Sequence, residues 1–294
     1  MKPMAGFRVQ GGSVLAGVLA ALVCLSGCGR LGEGAPTDVV LTAASDTTVR
    51  VRWAAPGGHL PDSYVIAFME TGTSEWLDVA SASDSATRAD HNPLGRTGRY
   101  RVTAIYGGRP YHATETPTST PVHTAATAVG ELNSTVYSGY GWDRDSGAGS
   151  LYTMEYASNA AHVDFYITDW ATGSTGPEYY AASPDWGHCE PGGGGLVPAG
   201  AWRPNWLKPL AESQLPLPRF DSTVYANNIK LALDSTLAAV VCTDTFFFAD
   251  STDTFVTVVR HYAIARFGSP DTVTGTVQVE TWFQRISNLR LIQH

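Results

Sequence analysis

Residues 47–53 read TTVRVRW, which places Val49, Val51 and Trp53 on one side of an extended chain and Arg50 and Arg52 on the other. Successive side chains of a strand point to opposite faces, so this alternation marks a strand with one buried and one wet face. The same period of two recurs in SYVIAF, through Tyr64, Ile66 and Phe68, and in YRVTAIY, through Tyr100, Val102 and Ala104. It returns in the second half as SLYTMEY, AHVDFYI, TFVTVVRHYAIARF and TVQVETWF. No stretch keeps a helical period over three turns, and PLAESQL at 209–215 offers one or two turns at most. The chain must therefore build its core from sheets. With 44% hydrophobic and 16% charged residues it is globular and lightly charged.

The N-terminus has a different logic. Lys2 and Arg8 precede a twelve-residue apolar run, Val14 to Leu25. A spanning helix needs about 20 apolar residues, so the run is too short to cross a bilayer and fits the core of an export signal. Leu25-Ser26-Gly27-Cys28 resembles the lipobox of bacterial lipoproteins. That resemblance implies cleavage before Cys28 and acylation of its thiol, with residues 1–27 removed as signal peptide. The partner it implies is the membrane, reached through the lipid on Cys28, and several acyl chains on one residue give stable anchoring. Gly29 after the cysteine, by the same resemblance, favours the outer membrane of the cell envelope. An ordinary secretory signal with an incidental cysteine is the alternative. Residues 28–35 read as a Gly-rich tether.

Residues 36–122 carry short alternating strands separated by turn signals, the pattern of a β-sandwich. Pro36, Trp53, Tyr64 and the pair Leu94 and Tyr100 fall in the order and spacing of the fibronectin type III module, which this region resembles. The resemblance implies a tyrosine corner, in which the Tyr100 phenol bonds to upstream backbone. Two features depart from the family: GRTG stands around Arg96 and Thr97, and Gly107-Gly108-Arg109-Pro110 holds no RGD, so cell adhesion does not carry over. Residues 123–127 read as a linker. The fold class expected is all-β, a fibronectin type III-like β-sandwich followed by a second antiparallel β-rich domain over 128–294.

Cys189 and Cys242 are the two cysteines left after processing, and an even count in an oxidising compartment points to a disulfide between them. Two free buried thiols are the alternative. Residues 183–220 hold runs such as CEPGGGGLVPAGAWRPNW, too rich in Pro and Gly for a regular strand. Long irregular segments in compact domains are often functional. Trp186, Trp202 and Trp206 lie on or beside this one, either as an aromatic platform for a carbohydrate or protein ligand or as its own small core.

The remaining motifs mostly exclude. A net charge of −8, deepened by loss of Lys2 and Arg8, is the wrong sign for nucleic acid. Asp143-Arg144-Asp145-Ser146-Gly147 begins like a calcium loop but puts Gly147 and Ala148 where such a loop needs Asp or Asn and then Gly, so a solvated turn is expected. The eight histidines form no metal-site spacing, and no nucleophile elbow, P-loop or dinucleotide fingerprint occurs. No catalytic residue and no cofactor is assigned. VVRHYAIARF with TVQVETWFQR is similar in pattern to the closing hairpin of haem-binding lipoproteins of the haemophore type, a resemblance that implies haem but places its ligands on no histidine here. The leading expectation is an envelope lipoprotein with a binding or interaction role, its first module a spacer. The alternatives are an exported carbohydrate-active enzyme or carbohydrate-binding protein using the 183–220 loop, and a haem carrier.

Overall fold

The structure, a computed structural model, describes residues 32–132, 134–169, 178–189, 201–212, 214–249 and 254–294. The segment read above as a signal peptide, Cys28 and most of the expected tether lie outside these residues, as does the centre of the 183–220 segment. Among the described residues the chain is all-β, and residues 32–294 form one compact unit.

Seven strands make the first module: β1 (Thr37–Ser45), β2 (Thr48–Ala54), β3 (Ser63–Glu70), β4 (Leu77–Ser83), β5 (Arg88–His91), β6 (Gly98–Tyr106) and β7 (Arg109–His112). They form two antiparallel sheets, β1-β2-β5 and β4-β3-β6-β7, the three-plus-four arrangement of a fibronectin type III-like sandwich. The alternation in the sequence is the alternation of the fold. Val49, Val51 and Trp53 face inward against Tyr64, Ile66, Phe68, Tyr100, Val102 and Ala104. The rings of Trp53 and Tyr64 pack at 5.1 Å. On the outer face the register sets Arg50 opposite Asp90, and the guanidinium grips the carboxylate at 2.7 and 2.8 Å.

One local expectation changes. The Tyr100 hydroxyl meets the His91 ring nitrogen at 3.1 Å instead of upstream backbone. Leu94 turns outward, 84% exposed at φ +54°, because the Asn92 side chain accepts its N–H and holds a tight turn there.

Ten strands follow: β8 (Val122–Gly130), β9 (Gly139–Trp142), β10 (Gly149–Tyr152), β11 (Phe165–Thr168), β12 (Tyr180–Ala182), β13 (Trp206–Leu210), β14 (Asn228–Lys230), β15 (Thr236–Ala249), β16 (Thr254–Phe267) and β17 (Thr276–Phe283). They form two five-stranded sheets, β10-β9-β11-β12-β14 and β13-β15-β16-β17-β8. Between them lies a core of Tyr140, Trp142, Phe165, Ile167, Val240, Ala263, Phe267, Val279 and Phe283. Gly141 is glycine for a reason of space, since a Cβ there would collide with the His162 carbonyl. Residues 123–127, read above as a linker, lie inside β8, which pairs with β17 along the sheet edge. Residues 209–210, read above as part of a helical turn, belong to β13 instead.

After β17 the chain returns to the first module. Leu289 and Leu291 are fully buried in the first module's core, beside Val39 and Tyr106. The buried Gln284 amide donates to the carbonyls of Ser119 and Leu291 at 2.9 and 2.7 Å. Arg290 reaches Asp46 at 3.1 Å and bonds the Leu217 carbonyl, while Gln293 accepts from the N–H and hydroxyl of Thr97, both at 3.2 Å. Each leucine contributes on the order of 2 kcal/mol by leaving water.

Candidate functional site

At one end of the second sandwich, four charges meet away from water. Asp164, immediately before β11, is fully buried. Its carboxylate takes two hydrogen bonds from Arg144, at 2.9 and 2.7 Å, and one from the Trp142 N–H at 2.9 Å. Arg203 and Asn205 add contacts at 3.4 and 3.1 Å. The same two arginines hold Asp244 on β15, Arg144 at 2.7 Å and Arg203 at 3.1 Å. Two cations and two anions thus balance in a closed square. The position of Arg144 comes from the preceding turn, where Asp143 accepts from the N–H and hydroxyl of Ser146. That is an Asx-type turn, the solvated reading of the loop.

The electrostatics follow from the geometry. Burial by itself would raise the Asp164 pKa, but Arg144, Arg203 and the Trp142 N–H outweigh it and hold the carboxyl below its ordinary range. Burial would likewise lower Arg144, and Asp164 reverses the sign.

Cys242 and His261 stand opposite each other on β15 and β16, facing the core beside this cluster. Burial pushes the thiol well above its usual value and the imidazole below its own, so both are neutral. A reactive thiolate needs the opposite environment. The His261 ring stacks on Phe283 and bonds the Gln284 carbonyl at 3.1 Å, a packing arrangement. Cys242 is a free thiol, so the expected Cys189–Cys242 disulfide is not found. The reason is placement: Cys242 points into the packed core beneath the charge square. The Cys189 side chain lies outside the described residues.

The square sits where β15 leaves its sheet. β15 and β16 pair with each other at all 14 positions. β13 follows β15 only to Val241, and β17 follows β16 only to Ala263. One step beyond β13, the Asn205 side chain stands in for a strand by accepting the Thr243 N–H at 2.7 Å. On the other side Asn288 donates to the Arg260 carbonyl at 2.6 Å. Past these points, among the described residues, 245–249 and 254–258 pair only with each other. Neither stretch carries a charge. Phe246, Val256 and Val258 are 48%, 56% and 41% exposed. Among the described residues a two-stranded ribbon therefore runs past the other strands of its sheet, roughly 16 Å long at about 3.3 Å per residue, with Asp244 clamped at its root.

The three tryptophans do not converge. Trp202 is buried with Met154, Val163, Tyr166 and Ala182 on the outer face of the β9 sheet, and Trp186 packs against that cluster. Trp206 lies on the outer face of the other sheet, its ring 5.5 Å from Phe220. Trp186 and Trp202 thus pack against residues of the sheet, outside the 183–220 segment, with Trp206 elsewhere. The ribbon itself went unread in the sequence. Three consecutive phenylalanines, Phe246 to Phe248, before the turn-prone ADSTD were its available signal.

No protein-family model matches the chain, and no curated protein does. Solved structures do. The FN3 domain of human collagen XX aligns at 20% identity over 29% of this chain and 91% of its own, with a TM-score of 0.26. The fn3 domain of the human collagen alpha-1(XX) chain in solution aligns at 18% over 31% and 88%, with a TM-score of 0.27. The FN1–FN3 domains of chicken CNTN1 align at 10% over 85% and 67%, with a TM-score of 0.26. Matches with TM-scores this low carry no argument about this chain, and none of them is a haem-binding lipoprotein. The class is defined by the strand order itself: an all-β chain with a fibronectin type III-like sandwich at its start.

Proposed function

We propose that this protein is an envelope lipoprotein, anchored through the lipid on Cys28, that captures a protein partner by strand addition along its projecting ribbon. The observation that carries this reading is the uncharged, part-exposed ribbon rooted in a rigid charge square. An open strand edge presents a row of backbone donors and acceptors, and soluble proteins usually blunt such edges with charge or proline. Here the outer edge of β16 offers neither between Thr254 and Val259. Extended peptides add to edges of this kind, with main-chain bonds supplying affinity and alternate side chains supplying selectivity. The first module sets the ribbon's distance from the membrane.

Two measurements test the two parts. Cys28→Ser should move the protein from the membrane to the soluble envelope fraction, and unchanged partitioning would refute the anchor. A photo-crosslinking residue at Thr257 in the native host should capture a discrete protein band. The double variant Val256→Lys/Val258→Lys, which places charge on the edge while leaving the core untouched, should abolish it. No band, or a band that survives the lysines, would refute the ribbon's role.

A further inference from the structure

A second surface, separate from the ribbon, has the chemistry of a ligand site. Between the β1–β2 turn of the first module and the outer face of the β13-β15-β16 sheet runs a groove of about 970 Å³. That volume is at the upper end of the range for small-molecule sites, roughly 300–1,000 Å³. Lys208, Arg219 and Arg260 line it, although the chain as a whole carries a net charge of −8.

Two carboxylates share the groove with these cations. Asp46 is held by Arg290 at 3.1 Å, with Arg219 at 3.5 Å. Asp221 accepts from the N–H and hydroxyl of Thr223, at 2.8 and 2.7 Å, to close its own turn. Among the described residues neither Lys208 nor Arg260 closes an ion pair with a carboxylate, although the Asp221 charge is near enough to Lys208 to be felt. Instead each lies over an aromatic face: Arg260 is 4.7 Å from the centre of Phe220 and Lys208 is 5.8 Å from that of Tyr225. Stacking fixes the plane of the Arg260 guanidinium, and its Nε is buried without a hydrogen-bond partner. A planar fork held in place is preorganised for a carboxylate, which it can grip through two parallel bonds. Around the cations the lining offers hydroxyls and an amide, from Ser45, Ser222 and Asn288. Tyr262 is only 5% exposed, and Val224, 52% exposed, is the large apolar side chain that stands open in the lining.

We propose that this groove binds a short acidic glycan, with a uronate carboxylate on Arg260 and Lys208 and ring hydroxyls on the polar rim. This does not depend on the ribbon's role.

The test uses the full-length chain in a neutral detergent, titrated calorimetrically with trigalacturonate. Binding should weaken about 10-fold or more in Arg260→Gln and in Lys208→Gln, and should fall as salt is raised from 50 to 500 mM, since charge pairs open to solvent are screened. Lys208→Gln removes charge without the Phe220 stack, and thermal melting of both variants checks that they fold. Maltotriose, of the same length but neutral, should give no heat. Absence of trigalacturonate binding by the unaltered protein would overturn the assignment. So would equal binding of maltotriose or of an oligoaspartate peptide, or an affinity that Lys208→Gln leaves unchanged.

Discussion

Changing Asp164 to Asn removes one charge from the buried square and nearly preserves its shape. Five donor contacts converge on this carboxylate, from Trp142, Arg144 (twice), Arg203 and Asn205. With the charge gone, Arg144 and Arg203 share Asp244 alone, and their side chains are only 19% and 20% exposed. Breaking a buried pair by deleting one partner costs about 3–5 kcal/mol, because the other charge stays desolvated. For a unit of this size that corresponds to a fall in melting temperature of roughly 5–9 °C. The pH dependence carries a second signature. The folded pKa of Asp164 is depressed, so its contribution is complete above the ordinary carboxylate pKa of about 4 and is lost as pH falls through the lower folded value. Denaturant unfolding of the 32–294 unit, followed by tryptophan fluorescence at pH 7 and at pH 3, measures both. Asp90→Asn, which breaks the exposed pair with Arg50, is the control. If Asp164→Asn costs no more than that control at pH 7, the square is not what holds the end of this sandwich together.

Leu289→Ala should cost about 2–5 kcal/mol, the range for a buried leucine that leaves a cavity. Leu94→Ala, at an 84% exposed position, should leave the melting temperature unchanged, and equal effects would refute the tail's place in the core. In the 32–294 unit with Cys189→Ser, Cys242 is the sole thiol. It should resist alkylation by iodoacetamide at pH 8 in the folded protein and react fully in 6 M guanidinium, whereas labelling at the rate of a free cysteine when folded would show the site to be open.

Strand patterning was legible wherever one face of a strand is wet. Val49, Val51 and Trp53 alternate with Arg50 and Arg52 because water contacts one side only, so the period survives in the sequence. The charge square was not legible. Asp164 and Asp244 lie in strand-like stretches of sequence, and their partners Arg144 and Arg203 stand 20 and 39 residues away from Asp164. Charges that neutralise each other in space leave no local signal. The tryptophans misled for a related reason: 186, 202 and 206 are near in number, but β13 carries Trp206 to the far face of the sandwich. The boundary near Val122 hid the returning tail because Leu289 and Leu291 satisfy a core built some 200 residues earlier, and pattern reading sees only neighbours.

That returning tail has a consequence for how the molecule is made. Asp46 and Arg290 are 244 residues apart in the chain, and the residues that close the first sandwich are joined only after the whole second sandwich. A nascent chain usually consolidates its leading module while the rest is still emerging. Here that module must wait with an unsealed interior until the segment holding Leu289 and Leu291 has emerged. A message cut short anywhere in the second half therefore yields a product that is incomplete at both ends.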